Sequence, residues 1–207
     1  VKVEYTANVW TDVSGWVKEF SFRYSLTPAK YWKSFGNLEI NVEQEGEVRQ
    51  FITNLGLPNE KEIKAINTWT FNKLPDEYFE ISFTPTPNNS TKILMTIGPF
   101  GLSIIVAILL AITHLFFTYT YRRNNIQKKY SIIVISGSIL VPLLSLLSYI
   151  YSYSFIDNAI GENAGRHHGY VFLSIILYPI ILIIYWLLFW LTDRQYKKKL
   201  INEYGSN

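Results

Sequence analysis

ILMTIGPFGLSIIVAILLAITHLFFTYTY (Ile93–Tyr121) runs for 29 residues without a formal charge when His114 is counted as neutral, and its reading decides the fold. A helix needs about 20 apolar residues to cross the hydrocarbon core of a bilayer. Two later runs share this character: Ser131–Ile156, with 26 residues, and Gly169–Thr192, with 24. Inside a bilayer each backbone N–H and C=O must pair within its own segment, so these runs are expected to be helices despite their many Ile and Val. Three spans are therefore predicted, at 93–121, 131–156 and 169–192.

The rest of the chain is divided around these runs. Of 16 acidic residues in the 207, all but four precede Ile93. Residues 1–92 carry 10 Lys+Arg and 12 Asp+Glu, whereas residues 93–207 carry 9 and 4. Mean hydropathy is +0.11 and 17% of residues are charged, against about 25% in soluble proteins. A purely soluble domain, a disordered chain and a disulfide scaffold are excluded. With no Cys, thiol nucleophiles, thiolate metal ligands and redox pairs are excluded too. The net charge of +3 is no nucleic-acid footprint, because the basic residues gather at the edges of the spans.

Those edges predict the topology. Arg122, Arg123, Lys128 and Lys129 fill the first connection, and Arg194, Lys197, Lys198 and Lys199 follow the third span. The second connection, Asp157–His168, has Arg166 against Asp157 and Glu162. The positive-inside rule places the first connection and the basic tail, 193–207, in the cytoplasm, with residues 1–92 and the second connection outside. The expected location is a cell membrane. The chain opens at Val1 without a basic-then-apolar leader. An outer domain ahead of a first span is expected to need a secretion signal, so a removed signal or a longer upstream portion is expected.

Residues 1–84 read as β. Lys2–Val9, Val17–Ser25, Asn37–Glu43, Ile63–Phe71 and Tyr78–Thr84 alternate or are rich in β-formers, with turn residues between them. The spacing predicts an antiparallel, sandwich-like domain, with a helical turn at Ala29–Lys33 or Asn59–Ala65. PTPNNST (Pro85–Thr91) has a linker composition, and 85–92 is expected to join the domain to the membrane. The fold class is thus a membrane protein: an N-terminal all-β, sandwich-like extracytoplasmic domain followed by three transmembrane α-helices. FSFRYSLTPAKYWKSFGNLEI (Phe20–Ile40) followed by WTFNKLPDEYFEISF (Trp69–Phe83) resembles the extracytoplasmic β-domains of uncharacterised bacterial membrane proteins. That resemblance carries no catalytic signature and implies a cell-envelope protein.

No P-loop, GxGxxG, HExxH or GxSxG pattern is present, and no catalytic, cofactor or metal residues are assigned. His114 lies about 12 Å along a helix from Arg122, whereas His167 and His168 lie at the outer mouth of the third span, so they cannot share one site. An ionisable residue within a span is a functional candidate; the plainer reading is a neutral His114 bonded to a Ser or Tyr of a neighbouring helix. Arg166, His167 and His168 form the second candidate polar site. Ser103, Ala107, Ala111, His114 and Thr118 share one face of the first span, and Ser138, Ser145 and Ser148 mark the second. These small residues are expected to pack helix on helix, or against a protein partner or a second copy. In the outer domain Trp10, Trp16, Tyr31 and Trp32 lie near turns, and Trp16, Tyr31 and Trp32 are the candidate contact residues for a sugar or protein. Glu39, Glu43, Glu45 and Glu47 read as a solvated edge rather than a Ca²⁺ loop. Asn88 and Asn89 each begin a glycosylation sequon.

The expected function is that of a multi-pass envelope protein. Its outer domain would bind a partner or ligand, and its helices would anchor it in a membrane assembly. The alternative is a membrane enzyme or transporter accessory subunit using His114 or the Arg166–His168 mouth.

Overall fold

The computed structural model describes residues 8–31, 36–45, 49–165 and 171–204. Trp32, Glu47, Arg166, His167 and His168 lie outside the described residues, as does most of the expected first strand. The chain divides into two compact units. One holds the described residues of Val1–Pro87 and Ile160–His167, the other those of Asn88–Ala159 and His168–Asn207.

The first unit is built of two small sheets. β1 (Trp10–Asp12), β2 (Glu19–Ser25), β6 (Tyr78–Phe83) and β4 (Ile52–Thr53) form an antiparallel sheet in the order β1-β2-β6-β4. β3 (Leu38–Glu43) and β5 (Ile66–Phe71) form an antiparallel pair. The register Phe20↔Phe83, Phe22↔Ile81, Tyr24↔Phe79 places the aromatic and aliphatic residues of β2 and β6 on one face, and the rings of Phe20 and Phe83 stack 5.1 Å apart. β3 alternates as the sequence predicts, with Leu38, Ile40 and Val42 half-buried between exposed neighbours.

Trp69 of β5 is 2% exposed. Its ring lies 5.9 Å from Phe79 of β6 and 6.3 Å from Phe51, and its indole N–H donates to Gly56 O. An indole buried this way contributes area and satisfies its one donor. The expected helical turn near residue 29 is a 3-10 stretch at Thr27–Tyr31. Residues 59–65 are not helical. The Asn67 side chain accepts from Lys64 N and donates to Lys64 O, and Lys61 takes a left-handed φ of 61°. A side chain that occupies backbone groups in this way displaces the helical bonds.

The turn after the second long helix is part of this β unit. Gly161–Asn163 is a 3-10 stretch, Ala164 bridges Val17, Lys18 N donates to Asn163 O, and Gly165 N donates to Trp16 O at 2.8 Å. A Cβ at position 165 would stand 1.9 Å from Gly15 O, so this backbone approach requires glycine.

The second unit consists of α1 (Asn89–Asn124), α2 (Ile132–Ile160) and α3 (Val171–Tyr204), each long and apolar enough to cross a membrane. Asn88 caps α1 by accepting from Thr91 N, so the helix begins inside the stretch expected to be a linker. Thr91 Oγ1 in turn donates to Ala159 O of α2. α1 is broken at Gly98, with φ 65° and ψ 174°, immediately before Pro99. Proline disfavours helical backbone at the residue before it, and glycine accepts the resulting left-handed φ. Pro142 and Pro179 lie inside α2 and α3. The backbones of α1 and α3 approach most closely of the three helices.

Candidate functional site

Four-residue steps along α1 and α3 build a buried polar ladder. His114, Thr118 and Arg122 follow one another on α1, and Tyr185, Phe189 and Asp193 on α3. Residues four apart lie on one helical face. His114, Thr118, Arg122, Phe189 and Asp193 are all buried. The His114–Tyr185 and Arg122–Asp193 pairs are both separated by 71 residues, as expected for two helices running in the same direction in constant register.

His114 forms the upper rung. Its Nε2 lies 3.1 Å from Ile133 O of α2 and its Nδ1 lies 3.0 Å from the Tyr185 hydroxyl. A carbonyl can only accept, so Nε2 carries a proton, and Nδ1 then accepts from Tyr185 in the neutral ring. Phe189 stacks on the imidazole at 4.1 Å with an interplanar angle of 4°. The ring occupies a hollow over Gly137, where a Cβ would stand 2.2 Å from Nε2. Glycine at 137 is therefore what lets the imidazole reach α2.

The lower rung is an ion pair. Arg122 Nε donates to Asp193 Oδ1 and Nη2 to Oδ2, both at 2.5 Å, while Nη1 donates to Lys128 O at 2.7 Å. The side chains are 2% and 6% exposed. The fork geometry matches the carboxylate and leaves each guanidinium nitrogen with an acceptor. Between the rungs the Thr118 hydroxyl is buried without a hydrogen-bond partner among the described residues, as is the Ser138 hydroxyl on α2.

Three of the candidate serines bond within their own helices. Ser103 Oγ donates to Phe100 O, Ser145 Oγ to Val141 O and Ser148 Oγ to Ser145 O, so each hydroxyl turns back on its own helix. Ser103 and Ser145 line one cavity of about 350 Å³ with Ser174 and Tyr178 of α3. Ala107 and Ala111 are half-buried. The small-residue face of α1 stops short of the ladder, because Arg122 and Asp193 lie just beyond the uncharged runs. The signal was present: extending the step from His114 and Thr118 by four more residues reaches Arg122.

In the β unit Trp16 is half-buried and Tyr31 is 85% exposed. Trp10, expected near a turn, stands in the three-residue β1. The register Trp10↔Ser21, Asp12↔Glu19 and Arg23↔Glu80 puts these side chains on one face of the four-stranded sheet, where they line a shallow depression. Trp10 is 76% exposed there. Arg23 donates to Glu80 at 2.8 Å and lies 4.5 Å over the Tyr78 ring. The Asp12 carboxylate accepts from Ser14 N, which holds it below the usual carboxylate range. Among the described residues no group of three His, Asp or Glu is placed to hold a metal.

Comparison of the chain with protein-family models, with curated proteins and with solved structures finds no match.

Proposed function

We propose that the chain is a multi-pass envelope protein whose outer, sandwich-like β unit binds a partner or ligand and whose three helices anchor it in a membrane assembly. The observation that carries this reading is the polar sheet face with Trp10 standing out among Asp12, Glu19, Ser21, Arg23 and Glu80. An exposed indole beside carboxylates and a guanidinium offers stacking and hydrogen bonding to a sugar or a protein surface. The Trp69–Phe79 contact between strands of the two sheets supports the sandwich.

The bridge from Val17 to Ala164 supports the topology. It joins the turn between α2 and α3 to the β unit, and the loop charges independently assign both to the outer side. Single cysteines at Asn59 and Asn163, in a chain that has none of its own, are expected to label from outside sealed cells, and one at Gln127 is not. Labelling at Gln127 would refute the orientation.

Binding is tested on the full chain in mild detergent. Trp10→Ala is expected to lose what the unmodified protein retains through purification, while His114→Ala keeps it. The reverse result would favour an intramembrane active site. The geometry speaks against that alternative, because both nitrogens of His114 are engaged and Phe189 covers one face of its ring.

A further inference from the structure

A cavity of about 700 Å³ opens beside the Arg122–Asp193 pair, between the start of α2 and the end of α3. Its cations are Arg122, Lys129, Arg194 and Lys197, with Asp193 as the acid in its wall. Asp193 is engaged by the Arg122 fork. The charges of Lys129, Arg194 and Lys197 are therefore not answered by it.

These cations are held over aromatic and backbone groups. Arg194 lies 4.7 Å over the Trp190 ring, Lys129 lies 5.2 Å over Tyr130, and Lys197 Nζ donates to Lys128 O. Ser131, just before the first turn of α2, also lines the cavity. The first amides of a helix have no intrahelical acceptor, and its N-terminus favours negative charge.

The other wall is apolar, formed by Val134, Ile135, Trp186 and Trp190. Ile135 and Trp186 are 50% and 42% exposed, on helices apolar enough to face lipid. A small inorganic anion would use the cations and leave this wall without a partner. A zwitterionic lipid would bring a cation of its own to the basic wall. An anionic phospholipid matches both walls, with phosphate for the Lys and Arg side chains and the upper chain carbons for Trp and Ile.

We propose that this cavity binds the phosphate headgroup of an anionic phospholipid. Basic pockets between helices at a membrane edge suit such headgroups, and each Lys or Arg near an anionic surface contributes about fivefold to partitioning.

The test uses the full chain in phosphatidylcholine vesicles doped with brominated-chain phosphatidylglycerol or brominated-chain phosphatidylcholine. Brominated chains quench nearby tryptophan, and Trp186 and Trp190 line the cavity. Brominated phosphatidylglycerol is expected to half-quench at a lower mole fraction than brominated phosphatidylcholine, and Trp186→Phe/Trp190→Phe should remove that difference. In Arg194→Gln/Lys197→Gln the half-quenching fraction for phosphatidylglycerol should rise more than tenfold, with phosphatidylcholine unchanged. Arg194→Lys/Lys197→Arg, which keeps both charges, should preserve the preference. Equal quenching by the two lipids in the unmodified chain would overturn the proposal. Loss of the preference in millimolar inorganic phosphate, but not in chloride of equal ionic strength, would assign the cavity to a free anion and overturn the lipid.

Discussion

The two units place an arginine–carboxylate pair in opposite surroundings. In the β unit Arg23 and Glu80 meet at 2.8 Å with side chains 61% and 28% exposed. In the helical unit Arg122 and Asp193 meet at 2.5 Å, at 2% and 6%. Water screens the first pair and has been removed from the second. An exposed pair typically contributes about 0.2–1 kcal/mol. Breaking a buried pair costs about 3–5 kcal/mol, because the remaining charge is left without a partner. Contact geometry already favours the second pair, which forms two bonds against one, and burial widens the difference.

The largest expected effect follows from that separation. Arg122→Ala should destabilise the detergent-solubilised protein by about 3–5 kcal/mol, and Arg23→Ala by less than about 1 kcal/mol, read as shifts in unfolding. Arg122→Met/Asp193→Leu should recover most of the loss, since it removes both charges. If the double variant is as weak as Arg122→Ala, the cost lies in packing and the contrast between the units fails.

A smaller effect sharpens the packing side of the ladder. Gly137→Ala places a Cβ against the His114 ring and should cost about 1–3 kcal/mol, the usual range for overpacking. His114→Ala removes the obstructing ring. In a double-mutant cycle the two changes should couple strongly, and additivity within about 0.5 kcal/mol would mean that the imidazole does not occupy the hollow over residue 137. Smaller still is Tyr185→Phe, which deletes one hydrogen bond between helices. It should cost about 0.6 kcal/mol, the average for such bonds in membrane helices. A loss of several kcal/mol would show that the hydroxyl holds more than His114.

The smallest effect returns to the β unit. The folded chain lowers the Asp12 carboxyl through Ser14 N. A group lowered on folding stabilises above its unfolded value, and that contribution disappears as pH falls through the folded one. Asp12→Ala should therefore flatten the acid limb of the β-unit unfolding profile, followed by circular dichroism. An unchanged limb would remove Asp12 from the account.

The apolar runs made the helical region legible, because 24 to 29 residues without charge admit few other structures. Strands β2, β3, β5 and β6 were legible through alternation or β-rich composition. β1 and β4 were not, since three and two residues are too few to show a period. Helix ends were also hidden. Asn88 starts α1 ahead of its apolar run, and Arg, Lys and Gln carry α3 to Tyr204 beyond its own, being good helix formers. The His114 ladder was half visible, because a sequence shows the step along one helix but not which other helix supplies Tyr185 and Asp193. The 71-residue offset is a property of the packed bundle.

The bridge between Val17 and Ala164 bears on the order in which the protein is made. The partners are 147 residues apart in the chain. At about 5–20 residues per second, the ribosome needs roughly 7–30 s to reach Ala164 after Val17. Two helices long and apolar enough to cross a membrane are also made in that interval. The stretch from Trp16 to Lys18 therefore waits without its late neighbour while the second long helix is made. A chaperone acting during synthesis would meet this stretch unpaired, and a chain stalled before Gly165 would present it permanently.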